Sequence, residues 1–116
     1  MALTKISSGV IAAEFQTASN LTANATVDMD WNSSQVFRLT PTSSTTFTFS
    51  DYKVGMVKIL IVTGAGSSYT LTFPSEATNL GGTYDDTSRT KNFIQIICTD
   101  DDGTPEFFYT ITQPAT

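Results

Sequence analysis

The chain contains no histidine among its 116 residues. That removes Ser-His-Asp and Cys-His catalysis, histidine-ligated zinc and the usual general base near neutral pH. Cysteine occurs once, as Cys98, so an intramolecular disulfide and a thiolate metal cluster are both excluded. Basic residues number six, at Lys5, Arg38, Lys53, Lys58, Arg89 and Lys91, against eleven acidic ones, giving a net charge of -5. A scattered minority of cations does not suit the phosphate backbone of a nucleic acid, so no nucleic-acid partner is expected. No apolar run approaches the ~18 residues of a membrane-spanning helix. The opening M-A-L-T-K-I-S-S-G-V-I-A-A is too broken for the apolar core of a secretory signal. The expectation is therefore a protein with no membrane partner.

Charge of either sign is sparse, at 15% of residues, and its place on the surface is taken by 21 Thr and 12 Ser. Threonine is β-branched and suits a pleated, half-wet surface, so this composition favours strands. The length is that of one domain, large enough to bury a core without disulfides.

Alternation begins near residue 25. In A-T-V-D-M-D-W, Val27, Met29 and Trp31 share one face and Asp28 and Asp30 the other. Q-V-F-R-L-T turns Phe37 and Leu39 inward. T-T-F-T-F-S turns Phe47 and Phe49 inward and Thr46, Thr48 and Ser50 outward. Each is a period-2 strand with one wet face. V-K-I-L-I-V-T is the most apolar segment, with Val57, Ile59 and Ile61 expected on one face, Leu60 and Val62 partly filling the other, and the strand central and covered on both sides. Y-T-L-T-F-P, N-F-I-Q-I-I-C-T and E-F-F-Y-T-I-T complete the strands, and residues 75–91 read as a polar loop. Strands this short, separated by turn residues, predict an all-β fold, an antiparallel β-sandwich or jelly-roll. The expected division is an extended N-terminal arm over residues 1–24 and a β-sandwich domain over 25–116. The arm carries Ile6, Val10, Ile11 and Phe15, apolar residues that need cover from the domain or from a neighbouring subunit.

No motif carries chemistry. Gly64-Ala65-Gly66 is followed by a strand pattern, whereas a phosphate cradle needs a helix there. Asp100-Asp101-Asp102-Gly103 lacks the ligand spacing of a calcium loop and reads as an acidic turn. Glu14, Glu76 and Glu106 suggest no glycosidase pair. The Thr46-x-Thr48 pair has no 10- to 15-residue repeat around it, as an ice-binding array requires. No catalytic residue, cofactor or metal ion is expected. The aromatic loop residues Tyr52 and Tyr84 are the candidates for stacking on a sugar, and Trp31 falls in a hydrophobic phase and reads as core or interface.

The run D-M-D-W-N-S-S-Q-V-F-R-L-T, then S-T-T-F-T-F-S, then V-G-M-V-K-I-L-I-V-T-G-A-G-S-S-Y-T-L-T-F-P-S resembles a β module of tailed-phage virion proteins. Gly81-Gly82-Thr83 and Asp102-Gly103-Thr104 match its later loops, and the resemblance spans about residues 9 to 112. Where that family often has a tryptophan, this chain has Asn79-Leu80 and Phe107-Phe108, which puts a ligand role for those aromatics in doubt. The module occurs in fibre tips and in capsid decoration proteins. With no shaft, heptad or collagen-like repeat, this chain is more similar to a capsid decoration (cement) or head-fibre protein. The resemblance implies a homotrimer made in the host cytoplasm and placed on the outer capsid surface of the virion, with the major capsid protein as partner. The alternative it implies is a tail-fibre or receptor-binding module for host surface glycans. The residues expected to meet a partner are Ile6, Val10, Ile11 and Phe15 in the arm, Asp51, Tyr52 and Lys53 in the corner after T-T-F-T-F-S, and Tyr84.

Overall fold

The computed structural model describes residues 17–115, and Ile6, Val10, Ile11 and Phe15 lie outside the described residues. Nine strands are seen among the described residues: β1 Ala18–Asn20, β2 Thr26–Asp30, β3 Val36–Leu39, β4 Thr45–Ser50, β5 Val57–Thr63, β6 Leu71–Thr72, β7 Ala77–Gly81, β8 Lys91–Asp100 and β9 Glu106–Thr112. They form a six-stranded sheet in the order β1-β3-β5-β8-β9-β7 and a three-stranded sheet in the order β2-β4-β6.

This corrects the expectation of an antiparallel sandwich or jelly-roll. From β1 to β6 the chain changes sheet after every strand, so β1, β3 and β5 pair in parallel, and β2, β4 and β6 pair in parallel. Antiparallel pairing appears only where β8 joins β5 and β9 joins β8, and β7 returns in parallel along β9. The physical reason is that period-2 patterning reports which side of a strand is dry, not which strand lies beside it. Short polar connections that look like hairpin turns are here arches from one sheet to the other.

The core lies between the sheets. Val27 and Met29 of β2 with Phe47 of β4 meet Phe37, Leu39, Leu60, Val62, Ile94, Ile96, Phe107 and Ile111 of the larger sheet. Trp31 is fully buried, its ring 5.4 Å from both Phe49 and Phe107. Phe47 stacks on Phe73 at 5.2 Å, and Phe73 in turn lies 4.5 Å from Tyr109. Tilted and offset pairs of this kind add to the gain from area burial alone.

Three expected details change. The inward face of β5 is Lys58, Leu60 and Val62, all buried, while Val57, Ile59 and Ile61 face outward. The polar stretch 75–91 contains a strand, β7. Part of the expected arm, Ala18–Asn20, is the edge strand of the larger sheet, in register with Val36, Phe37 and Arg38.

Candidate functional site

Three surfaces stand out, and the fold sets them apart. The first is the outward face of the six-stranded sheet. Cross-strand register lines up Val57, Ile97 and Phe108 in one row, Ile59, Gln95 and Thr110 in the next, and Ile61, Phe93 and Thr112 in a third. A bulge between Asn79 and Gly81 adds Leu80 to the first row's groove. Leu80 is 64% exposed, Phe93 42%, Ile97 37% and Val57 36%. Large apolar side chains scattered singly need no explanation, but a contiguous set on one face marks an interaction surface. Arg38 and Lys91 stand at one end of this face, beside Ile61 and Phe93, and the acid that reaches it, Glu106, lies at the other end. The sequence carries a partial signal for this face, because Val57, Ile59 and Ile61 of β5 and Phe93 and Ile97 of β8 are apolar although they point outward, with Gln95 the polar residue among them.

The second surface is the corner after β4. Asp51 has a left-handed backbone, φ 58°, which Asp tolerates better than most residues. Parallel pairing of β2 and β4 puts Asp28 opposite Thr48 and Asp30 opposite Ser50. The Asp28 carboxylate accepts from the Thr48 hydroxyl at 2.7 Å and the Ser50 hydroxyl at 2.6 Å. Asp51 shares a hydrogen bond with Asp30, which with the nearby negative charge holds its carboxyl above the usual carboxylate range. Tyr52 is half-buried, its ring edge-on to Trp31 and to Phe107 at 4.9 Å, so it is largely a core residue. Lys53 is exposed, and its amide donates to Met56 Sδ. Val54, 59% exposed, donates its amide to Asp101, which ties the corner to the acidic turn. Among the described residues, no group of three or more Cys, Asp or Glu side chains is arranged to hold a metal ion.

The third surface is at the far end of the molecule. Thr63, which ends β5, pairs with Lys91, which begins β8. The loops after β5 and before β8 therefore lie together, opposite the end that carries Asp51. Asp86 is their hub. Its carboxylate accepts from the amides of Ala65, Ser67 and Tyr69 at 2.9–3.1 Å and from the Tyr84 hydroxyl at 2.5 Å. Partial burial pushes this carboxyl up, and the four hydrogen bonds together outweigh it, holding it at about 2. Burial, and then the bond to Asp86, pushes the Tyr84 hydroxyl well above its ordinary value. Buried Asn92 braces the same loops, accepting from the Asp85 amide at 2.9 Å and from Gln113 Nε2 at 2.6 Å. A Cβ on Gly64 would sit 2.1 Å from the Thr87 carbonyl oxygen, so the two loops touch backbone to backbone. The braced loops enclose an open, mainly polar concavity of about 690 Å³.

Tyr84 thus stands at one end, and Asp51, Tyr52 and Lys53 at the other, so these residues do not form one site. Comparison of the chain with protein-family models, with curated proteins and with solved structures returns no match.

Proposed function

We propose that this chain is a non-enzymatic structural protein of a tailed-phage virion, a homotrimeric capsid decoration or head-fibre protein that binds the major capsid protein on the outer shell. The observation that carries the reading is the outward apolar face of the six-stranded sheet. Exposed Val57, Phe93, Ile97 and Leu80 are the residues a free monomer would least favour leaving in water. A protein that works by covering a shell needs such a face and gains from many weak, repeated contacts. The lack of histidine and of any sequence pattern for a nucleophile or acid–base pair supports a role without catalysis.

The test is co-sedimentation of the purified chain with capsids, alongside its mass in solution by light scattering. Saturable pelleting of a species with three times the chain mass is expected. A monomer that stays in the supernatant at every capsid concentration rules the proposal out.

A further inference from the structure

We infer that the Arg38–Lys91 end of the outward sheet face is a docking site for an acidic peptide segment, a carboxylate flanked by aromatic or aliphatic side chains. Register brings the parts together. Asn20, Arg38, Ile61, Phe93 and Thr112 fall in one row across β1, β3, β5, β8 and β9. Lys91 lies two residues before Phe93 on β8, in the same exposed phase, and pairs with Thr63. Arg38 and Lys91 therefore stand two strands apart, roughly 10 Å, with β5 between them. They border two concavities. One, of about 560 Å³, is mainly apolar, with Ile61 and Phe93 in its wall. The other, of about 350 Å³, adds Asn20 and Thr63.

The charge at this end is left over. In a chain of net charge -5, two of the four exposed cations among the described residues meet here. The Arg38 guanidinium donates only to the Asn20 side-chain oxygen at 3.3 Å, and the Lys91 ammonium only to the Thr63 hydroxyl at 2.9 Å. Among the described residues neither has a carboxylate partner, and no acid lines either concavity. Asp85 and Asp86 line the separate polar concavity instead. An exposed ion pair alone is worth little. Here Ile61 and Phe93, the latter 42% exposed, put apolar area beside the charges. A ligand that covers this area also shuts water away from its own carboxylate contacts, which strengthens them. The guanidinium offers a planar fork to a carboxylate, and the ammonium a second donor. A bare anion gains nothing from the apolar wall, and a purely apolar segment leaves two desolvated cations unpaired. A segment carrying both kinds of group satisfies both. The inference rests on the reading of this sheet face as a protein contact, and it names the chemistry of the segment the face takes.

The test is an amide chemical-shift titration of the full chain, isotope-labelled, with the blocked peptide acetyl-AFELA-amide, and with acetyl-AFQLA-amide and sodium acetate as comparisons. The glutamate peptide is expected to give saturable shifts centred on residues 38–40, 61–63 and 91–93, and to bind about tenfold tighter than the glutamine peptide in low salt. That preference should shrink at about 1 M salt, where exposed charges are screened. Arg38→Gln and Lys91→Gln keep part of each stem and should each remove most of the preference. Phe93→Ser should weaken both peptides alike. Far-UV circular dichroism identifies a variant that fails to fold, and the other cation variant then carries the comparison. Equal binding of the two peptides, acetate shifts as strong as the peptide's, shifts centred elsewhere, or no saturable shift would each overturn the assignment. A Lys91→Gln variant that keeps the peptide preference but changes its mass in solution would seat a second copy here, and likewise overturn it. Capsid co-sedimentation of the wild type is read separately. Peptide preference without pelleting supports this site and sinks only the capsid reading, and pelleting without peptide preference does the reverse.

Discussion

The ammonium of Lys58 donates a 2.8 Å hydrogen bond to the carbonyl oxygen of Ser34, and both residues are buried. Lys58 also reaches Gln35 Oε1 at 3.4 Å. A lysine on the inward face of a central strand is tolerable only because its charge is met there. The bond also ties β5 to the turn that leads into β3, its parallel neighbour. Lys58→Met keeps the aliphatic stem and removes the donor, leaving the Ser34 carbonyl buried without it. A loss of about 1–3 kcal/mol in urea-denaturation stability is expected. Wild-type stability in this variant would show that the bond contributes nothing net.

How far the sequence could reach is clearest at this strand. Val27, Met29, Trp31, Phe37, Leu39 and Phe47 are buried as their alternation requires, because polar neighbours on the other phase leave one solution. In V-K-I-L-I-V-T the outward phase carries Val57, Ile59 and Ile61 before ending at Thr63, and the inward phase contains the lysine, so hydropathy points the wrong way. What decides the phase is the set of oxygens waiting for the lysine and the surface outside, neither of which is local. Strand β7 was hidden for a related reason. As an edge strand whose residues are mostly exposed, it has little apolar signal, and only its pairing with β9 makes it a strand. The concavity was half legible. Tyr84 announced itself as a loop aromatic, but Asp86 acts through three amides some twenty residues away, a contact that no spacing rule contains.

Gly82 should be the least replaceable glycine. Its φ is 89°, and an added Cβ would lie 1.8 Å from the Ile111 carbonyl oxygen, a backbone atom that cannot step aside. Gly103 has φ 68° but open space around it. Gly82→Ala is expected to cost more than about 3 kcal/mol, combining conformational strain with a displaced strand end. Gly103→Ala should cost about 1 kcal/mol, from the left-handed conformation alone. Comparable losses in the two, measured by thermal unfolding, would mean the β9 end yields easily.

Asp86 should make the fold sensitive to acid. Its carboxyl lies at about 2 in the folded chain against an ordinary value of 3.8. A depressed folded value means the stabilisation is fully present above the unfolded value and is lost as pH falls through the folded one. Asp86→Asn should therefore lower the melting temperature at pH 7, because an amide cannot accept from every donor that now converges on the carboxylate. The gap between variant and wild type should narrow as pH drops from about 4 to about 2. A gap constant across that range would assign the effect to lost shape rather than to lost charge.

Asp51 carries the opposite sign. Its bond with Asp30 and the surrounding negative charge raise its folded value, so its contribution to stability is present below the unfolded value and disappears as pH rises through the folded one. At neutral pH two carboxylates face each other across the corner. Asp51→Asn removes one charge, keeps a hydrogen-bonding side chain and suits φ 58° at least as well. The variant should melt higher than wild type at pH 7, with the advantage shrinking below the ordinary carboxylate range. An unchanged melting point in low salt would show that solvent already screens the pair.

The outward face of the six-stranded sheet supplies the sharpest contrast between stability and assembly. Phe93 and Ile97 alternate on β8 with fully buried Ile94, Ile96 and Cys98, so a substitution on the outward phase leaves the core untouched. Phe93→Lys and Ile97→Lys are each expected to shift monomer stability by no more than about 0.5 kcal/mol, as surface changes do. If this face meets capsid protein or a neighbouring copy, each change places an unpaired ammonium in a desolvated contact, and a binding loss of about 2–5 kcal/mol follows. The measurements are chemical denaturation of the monomeric form and capsid co-sedimentation of the same samples. Lost stability would mean these side chains are already covered within one chain. Intact stability with intact co-sedimentation would remove this face from the assembly and leave the acidic corner, with Asp51 and Asp28, as the surface to alter next.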